Sequence, residues 1–315
     1  MKEVLSFTAL VATLLLAGLA TGSAQEAPAS KQTARRLELI ITDDKGDKSI
    51  SDVQAADIQL KENGTPATVD SLELIEKPVH YGLVVDVSNS LRSQFPMILD
   101  AARRVISSNT REDQTFVLRF VDKVEMVQSS TSNKAALFAA TDQLKLDRGQ
   151  TALFDALHIG ATELLKSPDP GRRKALVVIT DGENRSSKVT EGELFDVLRE
   201  ADFKVFIIGM IGELDSTGGL IRRSAYDRSL MFLQKLSKET GGRLFIVEKG
   251  FEPQIIEEVT HDLRRQYVLK YRSQSPGTKS RFKVEIKVSN NKDKQKRKAI
   301  LRPSYTAQSL INPDN

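Results

Sequence analysis

Between Val79 and Arg265 the sequence alternates short apolar runs with segments of helical spacing, and this alternation is the strongest constraint on the fold. The runs Tyr81 to Val85 and Ala175 to Thr180 are almost wholly apolar, which is typical of strands buried on both faces. Such strands, alternating with amphipathic helices, favour a parallel sheet with right-handed crossovers. The pattern therefore predicts an α/β domain over residues 79–265, with a mostly parallel six-stranded sheet and helices on both faces.

The spacing of apolar residues also predicts the individual elements of this domain. Strands are expected at residues 81–85, 115–121, 124–127, 175–180, 205–211 and 243–247, and helices at residues 95–106, 134–144, 153–165, 191–201, 230–240 and 253–265. Sheets of this class bind ligands at the carboxyl ends of their strands. We therefore expect functional residues in the loops that follow the strands.

Both ends of the chain carry the alternating patterns of antiparallel strands. Residues 37–78 contain three such runs, with Asn63-Gly64 as a hairpin turn before the third. Residues 266–303 contain further runs, of which Phe282 to Val288 alternates almost perfectly. Because short isolated sheets are only marginally stable, we expect the two groups to form one small β-module beside the α/β domain. Residues 304–315 are predicted to be a loose tail.

Residues 1–24 have the organisation of a secretory signal peptide. Lys2 precedes an apolar stretch from Leu5 to Ala20, and small residues at 22–24 predict cleavage after Ala24. An uncleaved membrane anchor is the alternative, but the stretch is shorter than the about 20 residues that a spanning helix needs. Residues 25–36 are predicted to be a flexible lead-in. We expect a secreted, periplasmic or cell-envelope protein with no membrane span after cleavage.

The composition argues against several functional classes. The 46 Lys and Arg residues against 42 Asp and Glu residues leave a net charge of only +4, which is not typical of a nucleic-acid-binding protein. The absence of cysteine excludes disulfides, thiolate metal sites and thiol nucleophiles. No glycine-rich turn follows the first strand of the α/β domain and no P-loop occurs, so the common nucleotide-binding motifs are missing.

Polar residues gather in three segments that are expected to meet at the carboxyl edge of the sheet. Asp86, Ser88 and Ser90 follow the strand 81–85, Thr151 precedes the helix 153–165, and Asp181 follows the strand 175–180. Carboxylate and hydroxyl oxygens are ligands for hard cations such as Mg²⁺ and Mn²⁺. Singly, each residue is an ordinary helix cap or turn residue, but together they indicate a metal site.

These residues resemble the metal-ion-dependent adhesion site of von Willebrand factor type A domains. The motif consists of Asp86-x-Ser88-x-Ser90, Thr151 in Gly-Gln-Thr-Ala-Leu, and Thr180-Asp181-Gly182, and all five ligand positions are present. The resemblance implies a Rossmann-like α/β domain that binds a protein partner through Mg²⁺, Mn²⁺ or Ca²⁺, with an acidic group of the partner completing the metal shell. It also implies direct metal contacts from the three hydroxyls and contacts through water from the two carboxylates. Asn89 and Leu91 lie on the same loop and are candidate partner contacts.

The wider chain, from Leu37 to Tyr305, resembles a group of secreted bacterial proteins that are related to the von Willebrand type and abundant in Acidobacteria. The segments that carry this resemblance are Asp57 to Gly64 with Pro66, Thr151 to Ala156, Arg172 to Leu176, Thr240 to Gly242, and Leu263 to Tyr267.

Two other functions stay open beside metal-dependent binding. A Mg²⁺-dependent hydrolase or phosphotransferase would use Asp86 as its nucleophile, although Ser88 stands where a second Asp would be expected. In a structural envelope protein, the metal would only stabilise the fold. We expect a binding protein and not an enzyme, because the adhesion motif is complete.

Overall fold

The structure is a computed structural model that describes residues 33–166, 169–201, 203–217, 223–247, 253–273, 281–289 and 296–306. The predicted signal peptide lies outside these residues. Within them, the strands are β1 (Thr33–Asp43), β2 (Ile58–Glu62), β3 (Thr65–Glu76), β4 (Val79–Asp86), β5 (Gln114–Phe120), β6 (Val124–Thr131), β7 (Arg173–Thr180), β8 (Lys204–Gly209), β9 (Leu244–Ile246), β10 (Arg265–Ser273), β11 (Arg281–Phe282), β12 (Val284–Val288), β13 (Arg297–Ile300) and β14 (Tyr305–Thr306). The helices are α1 (Phe95–Ser107), α2 (Lys134–Asp142), α3 (Leu153–Leu165), α4 (Glu191–Glu200), α5 (Ala225–Thr240) and α6 (Pro253–Arg264).

A six-stranded sheet in the order β6-β5-β4-β7-β8-β9 forms the α/β part of the molecule. The five strands from β5 to β9 in this order pair in parallel, and β6 pairs antiparallel to β5 at one edge. Every residue of β4 and β8 is buried, because apolar side chains cover both faces of these strands. The prediction of an α/β fold is confirmed.

Helices cover both faces of this sheet, as the apolar runs predict. Helices α1, α2 and α6 pack on one face, where Ile98 and Val259 share a core with Leu83. Helices α3, α4 and α5 pack on the other face, where Leu157 shares a core with Val84. Leu83 and Val84 are neighbours in β4, and neighbouring strand residues point to opposite faces. In the part of the chain that the structure describes, no helix is both long and apolar enough to cross a membrane.

Hydrogen-bonded caps set where two of these helices begin. Thr190 and Glu193 form a reciprocal capping box at the start of α4. Ser224 accepts a hydrogen bond from the backbone N–H of Asp227 (3.0 Å), which starts α5 at Ala225. The sequence prediction placed the start of this helix near residue 230 and was therefore too short, because it followed the apolar spacing and not the cap.

The strands at the two ends of the chain form a closed barrel in the order β1-β10-β3-β2-β12-β13. Residues 33–39 of β1 pair with β10 and residues 40–43 pair with β13, so β1 closes the barrel. The turn between β2 and β3 has positive φ at Asn63 (50°) and Gly64 (82°), which confirms the predicted hairpin. These strands form a closed six-stranded barrel, in which no sheet edge is left free.

Strands at both ends of the described chain extend into segments that the sequence analysis predicts to be flexible. β1 begins at Thr33, within the predicted lead-in, and Thr33 and Arg36 pair with Ser273 and Lys270. β14 lies within the predicted loose tail, pairs with β11, and buries Tyr305. These short segments form strands because distant parts of the chain supply their hydrogen-bonding partners.

Arg173, the first residue of β7, fastens the barrel to the amino end of the sheet. Its Nε lies 2.8 Å from Oε2 of Glu38 in β1, and its terminal nitrogen donates to the carbonyl of Ile75 in β3 (3.1 Å). The same nitrogen donates to the carbonyl of Arg264, the last residue of α6. One guanidinium therefore links two barrel strands, a helix and the central sheet.

Asp113 makes a second buried contact at the same end of the sheet. Its carboxylate accepts hydrogen bonds from the backbone N–H groups of Val79 (2.8 Å) and Thr110 (2.6 Å) and lies 2.7 Å from the guanidinium of Arg264. Burial by itself raises the pKa of Asp113, but these hydrogen bonds and the charge of Arg264 outweigh it and lower that pKa below its ordinary value of 3.8. The ionised form of Asp113 therefore stabilises the fold.

We expect Asp113→Ala to lower the free energy of unfolding at neutral pH by about 3–5 kcal/mol, because it leaves the charge of Arg264 buried without its partner. Since the pKa of Asp113 is lowered on folding, its stabilising contribution is present above the ordinary pKa and is lost as the pH falls through the folded value. Urea denaturation at neutral pH and at about pH 3 measures both effects.

Asp100→Ala is the matched control, since Asp100 pairs with Arg104 on the exposed face of α1. This variant should lose less than about 1 kcal/mol. Equal losses in the two variants would contradict the assignment of a structural role to Asp113.

Candidate functional site

Three loops meet at the carboxyl edge of the central sheet. β4 ends at Asp86 and the neighbouring parallel strand β7 ends at Thr180, so the loops that follow these strands start side by side. The third loop leads into α3 and carries Thr151. All five predicted site residues lie on these loops or at the strand ends that precede them.

A continuous series of hydrogen bonds joins four of the predicted residues. Asp86 Oδ1 accepts from the backbone N–H of Ser88 (3.0 Å), and the hydroxyls of Ser88 and Ser90 lie 2.9 Å apart. The Ser90 hydroxyl donates to Asp181 Oδ2 (2.8 Å). The other oxygen of Asp86 accepts from the hydroxyl of Thr180 (2.7 Å). The two carboxylates are thereby connected through Ser88, by its backbone N–H and its hydroxyl, and through the hydroxyl of Ser90.

Thr151 is tied to this cluster through its backbone. Its carbonyl accepts hydrogen bonds from the N–H groups of Arg185 (2.8 Å) and Ser186 (3.1 Å), both in the loop that carries Asp181. The Ser186 hydroxyl donates to the carbonyl of Gln150 (2.6 Å), which adds a third connection. The loop before α3 and the loop after β7 are therefore held together beside the two carboxylates.

Gly182 allows the tight turn that follows Asp181. Its φ is +80°, and a Cβ at this position would lie 3.0 Å from the side chain of Leu233 in α5. The turn brings the N–H of Glu183 to Oδ1 of Asp181 (2.9 Å). A glycine is thus needed here both for the backbone conformation and for the close approach of α5.

The two carboxylates are buried and repel each other. Asp86 is 0% exposed and Asp181 is 1% exposed. Burial, together with the negative charge of Asp181, raises the pKa of Asp86 to about 7. Burial also raises the pKa of Asp181, and the charge of Glu183 adds to this effect. Among the described residues neither carboxylate forms an ion pair, and the nearby Arg185 pairs with Glu183 (2.5 Å).

The cluster reaches the protein surface through the loop after β4. Asn89 and Ser90 are exposed, and the Asn89 side chain accepts hydrogen bonds from Arg92 (2.8 and 3.1 Å). Leu91 is 0% exposed and packs in the core under α1. The expectation that Leu91 contacts a partner is therefore wrong, because its apolar side chain anchors the loop from inside.

The carboxylate cluster and the strands β5, β6 and β7 lie in the part of the chain that matches a known family. Residues 82–183 match the family model described as the von Willebrand factor type A domain. The match supports a von Willebrand factor type A domain in this part of the chain. It includes Asp86, Thr151 and Asp181, together with the strands and helices that position them.

Several solved structures are similar to the chain at low sequence identity. BatB from Bacteroides thetaiotaomicron is 19% identical, with 58% of this chain and 98% of that chain covered and a TM-score of 0.46. A von Willebrand factor type A protein from Catenulispora acidiphila is 11% identical, with 87% and 74% covered and a TM-score of 0.46. Proximal thread matrix protein 1 from the mussel byssus, which has a zinc-occupied MIDAS motif, is 18% identical, with 62% and 49% covered and a TM-score of 0.48. No curated protein matches the chain.

The donor set of the cluster fits a divalent cation of the kind that the adhesion motif implies. All its side-chain donors are carboxylate or hydroxyl oxygens, which hard cations prefer. The described part of the chain contains no group of three or more His, Cys, Asp or Glu residues that could hold a metal ion. Beside the two carboxylates, the loops offer the hydroxyls of Ser88, Ser90 and Thr151, so the residues present fit a cation that prefers oxygen ligands.

Two residues beside the site were not among the predicted ligands. Thr180 belongs to the motif, and its buried hydroxyl holds Asp86 in place. Asp147 lies beside Ser88, since its backbone N–H donates to the carbonyl of Val87 (2.9 Å) and a β-bridge joins it to Ser88. The position of Thr180 directly before Asp181 could have indicated its role, whereas nothing in the sequence around Asp147 distinguishes it.

In the metal-free protein we expect Asp86→Asn to stabilise the fold at and above about pH 7. Because folding raises the pKa of Asp86 from 3.8 to about 7, the free energy of unfolding falls as the pH rises between these values. The uncharged variant lacks this loss, which is on the order of a few kcal/mol.

Thermal unfolding in chelator between about pH 4 and about pH 8 measures the difference. Asp100→Asn removes an exposed carboxylate from α1 and serves as the control. Its unfolding temperature should depend on pH as that of the wild type does. If the unfolding temperature of Asp86→Asn also depended on pH as that of the wild type does, the burial of a charged Asp86 would be contradicted.

Proposed function

We propose that this protein is an exported binding protein that holds a divalent cation at the carboxyl edge of its sheet and binds an acidic group of a protein partner through it. The observation that carries the proposal is the pair of buried carboxylates, Asp86 and Asp181, which are connected by hydrogen bonds through Ser88 and Ser90. Buried negative charges destabilise a fold unless positive charge compensates them. A cation at this position supplies that charge.

The proposed ligands are Asp86, Ser88, Ser90, Thr151 and Asp181. By resemblance to the adhesion site, the three hydroxyls contact the cation directly and the two carboxylates act through water. Mg²⁺ is the proposed cation, with Mn²⁺ and Ca²⁺ as alternatives. When bound, the cation supplies a positive charge that attracts the carboxylate of a partner.

The exposed side chains around the cluster favour an acidic partner. Each of the three loops carries an exposed arginine, namely Arg92, Arg148 and Arg185. Complementary charge at an interface speeds association and excludes partners of the wrong sign. Asn89, exposed beside Ser90, is the proposed partner contact of the loop after β4.

The contacts of Asp86 favour binding over catalysis. Both of its oxygens accept hydrogen bonds from the chain, one from Ser88 and one from Thr180, and the residue is 0% exposed. A nucleophilic carboxylate needs an oxygen that can approach its substrate. The exposure of Ser90 favours an open binding site over a metal that only stabilises the fold. Export is supported by the sequence pattern of residues 1–24 alone.

Isothermal titration of Mg²⁺ and then Mn²⁺ into the metal-stripped protein tests the site. The wild type is expected to bind the metal, and Asp181→Ala and Asp86→Ala are expected to weaken binding at least about tenfold, because each removes a negative charge from the site. The fold should be retained in both variants, which thermal unfolding checks.

The matched control is Asp100→Ala, which removes an exposed carboxylate from α1 and should bind as the wild type does. Wild-type affinity in Asp181→Ala would contradict the assignment of the ligands. Absence of binding in the wild type would contradict metal dependence.

A further inference from the structure

The first turn of α3 is capped by a side chain from another loop. Its N-cap residue is Ala152, which has no side-chain oxygen that could accept a hydrogen bond. The backbone N–H groups of Phe154 and Asp155 instead donate to the hydroxyl of Ser187 in the loop after β7, at 3.0 and 3.3 Å. Ser187 therefore does for α3 what an N-cap serine ordinarily does for its own helix.

Asn184, in the same loop, orients this cap. Its Oδ1 accepts a hydrogen bond from the hydroxyl of Ser187 (2.5 Å) and another from the N–H of Phe154 (3.3 Å). A serine hydroxyl has one proton to donate and two lone pairs that accept. Because the proton of Ser187 points to Asn184, its lone pairs are directed at the N–H groups of the helix.

Asp155 makes the return contact from the helix to the loop. Its Oδ1 accepts hydrogen bonds from the backbone N–H groups of Lys188 (2.9 Å) and Val189 (2.8 Å), and its Oδ2 lies 3.1 Å from the same nitrogen of Lys188. Asp155 is in the first turn of α3, where the helix dipole favours a negative charge. The helix and the loop thus cap each other. We call this set of contacts the crossed cap, formed by Phe154, Asp155, Asn184, Ser187, Lys188 and Val189.

The crossed cap joins the segments that carry two of the proposed metal ligands. Thr151 comes directly before the N-cap of α3, and Asp181 comes at the start of the loop that carries Ser187. The hydrogen bonds from Arg185 and Ser186 to the carbonyl of Thr151 lie between these ligands and the crossed cap. The position of one ligand relative to the other is therefore set by contacts of the chain itself.

A hydroxyl ligand depends strongly on its position. The side chain of Thr151 is short, uncharged and buried, so it cannot follow a displaced cation as a long side chain could. Mg²⁺ requires nearly octahedral oxygen ligands at about 2.0–2.1 Å. A small shift of the loop of Thr151 against the loop of Asp181 would therefore remove one ligand from its place.

We propose that Asp155 and Ser187 are positioning residues of the metal site, which hold the loops of Thr151 and Asp181 at the spacing that the cation requires. This inference rests on the proposed function, since it concerns the same cation. Neither residue is among the proposed ligands. Residues that orient metal ligands typically contribute about 10–100-fold to metal affinity.

Isothermal titration of Mg²⁺ into the metal-stripped protein tests this role. We expect Asp155→Ala and Ser187→Ala each to weaken Mg²⁺ binding about tenfold relative to the wild type. Ser187→Ala changes no charge, so its effect cannot come from the loss of electrostatic attraction. Both substitutions remove hydrogen bonds but no core side chain, and the Tm of each variant without metal shows that it is folded during the titration.

Two further substitutions of Asp155 separate position from charge. Asp155→Asn removes the charge but keeps an oxygen that can accept from the N–H groups of Lys188 and Val189. Asp155→Glu keeps the charge but moves the carboxylate by one methylene. A positioning role predicts nearly wild-type Mg²⁺ affinity in Asp155→Asn and a loss of about tenfold in Asp155→Glu. The reverse order would show that the charge of Asp155 matters and not its hydrogen bonds, and would overturn the proposal.

Hydrogen exchange of the metal-stripped protein gives a second readout, which does not depend on metal binding. Backbone amides that are held in hydrogen bonds exchange slowly with solvent. We expect the amides of Lys188 and Val189 to be protected in the wild type and in Asp155→Asn, and to exchange at least about tenfold faster in Asp155→Ala. Mass spectrometry of peptides that cover residues 184–190 measures this difference. Equal protection in the wild type and Asp155→Ala would overturn the proposal.

Asp43→Ala is the matched control. Oδ1 of Asp43 accepts hydrogen bonds from the backbone N–H groups of Gly46 (2.8 Å) and Asp47 (2.9 Å) at the end of β1, so this substitution breaks the same kind of contact in the barrel. Its Mg²⁺ affinity should equal that of the wild type. Wild-type affinity in Asp155→Ala, or an equal loss in Asp43→Ala, overturns this inference and leaves the proposed function intact. Absence of Mg²⁺ binding in the wild type contradicts the proposed function and overturns both.

Discussion

The parallel pairing of β4 with β7 is the constraint on which the rest of the structure depends. A strand that is buried on both faces cannot shift by one residue without exchanging the side chains that face the two helical layers. The register brings Asp86 and Thr180 within hydrogen-bonding distance at one edge of the sheet. It also sets Arg173 against the barrel at the other edge. The carboxylate cluster at one edge and the barrel contact at the other thus both depend on one pair of strands.

The central sheet was predictable from sequence because its information is local. Runs such as Ala175 to Thr180 are apolar without interruption, and the helices between them have clear spacing, so element type and order could be inferred one segment at a time. Closure of the barrel was not predictable in the same way. It depends on β1 pairing with both β10 and β13, and no local pattern encodes which distant strands pair. The strand β14 was missed for the same reason.

The candidate site was predictable to the extent that it follows strand ends. The motif located Asp86, Ser88, Ser90 and Asp181, and the structure joins them by hydrogen bonds. Leu91 was misjudged because a single apolar residue in a loop gives no sign of whether it points inward.

The direct succession of α6 and β10 has a mechanical consequence. The helix ends at Arg264 and the strand begins at Arg265, so no loop separates them. The Gln266 side chain also donates a hydrogen bond to the carbonyl of Asp262 (2.8 Å), which holds the start of the strand against the helix. Asp262 is in turn held by the buried guanidinium of Arg243. Sliding α6 along its axis would drag β10 past both of its barrel neighbours and break two ladders of hydrogen bonds at once. The barrel therefore restrains movement of the last helix of the α/β domain along its axis.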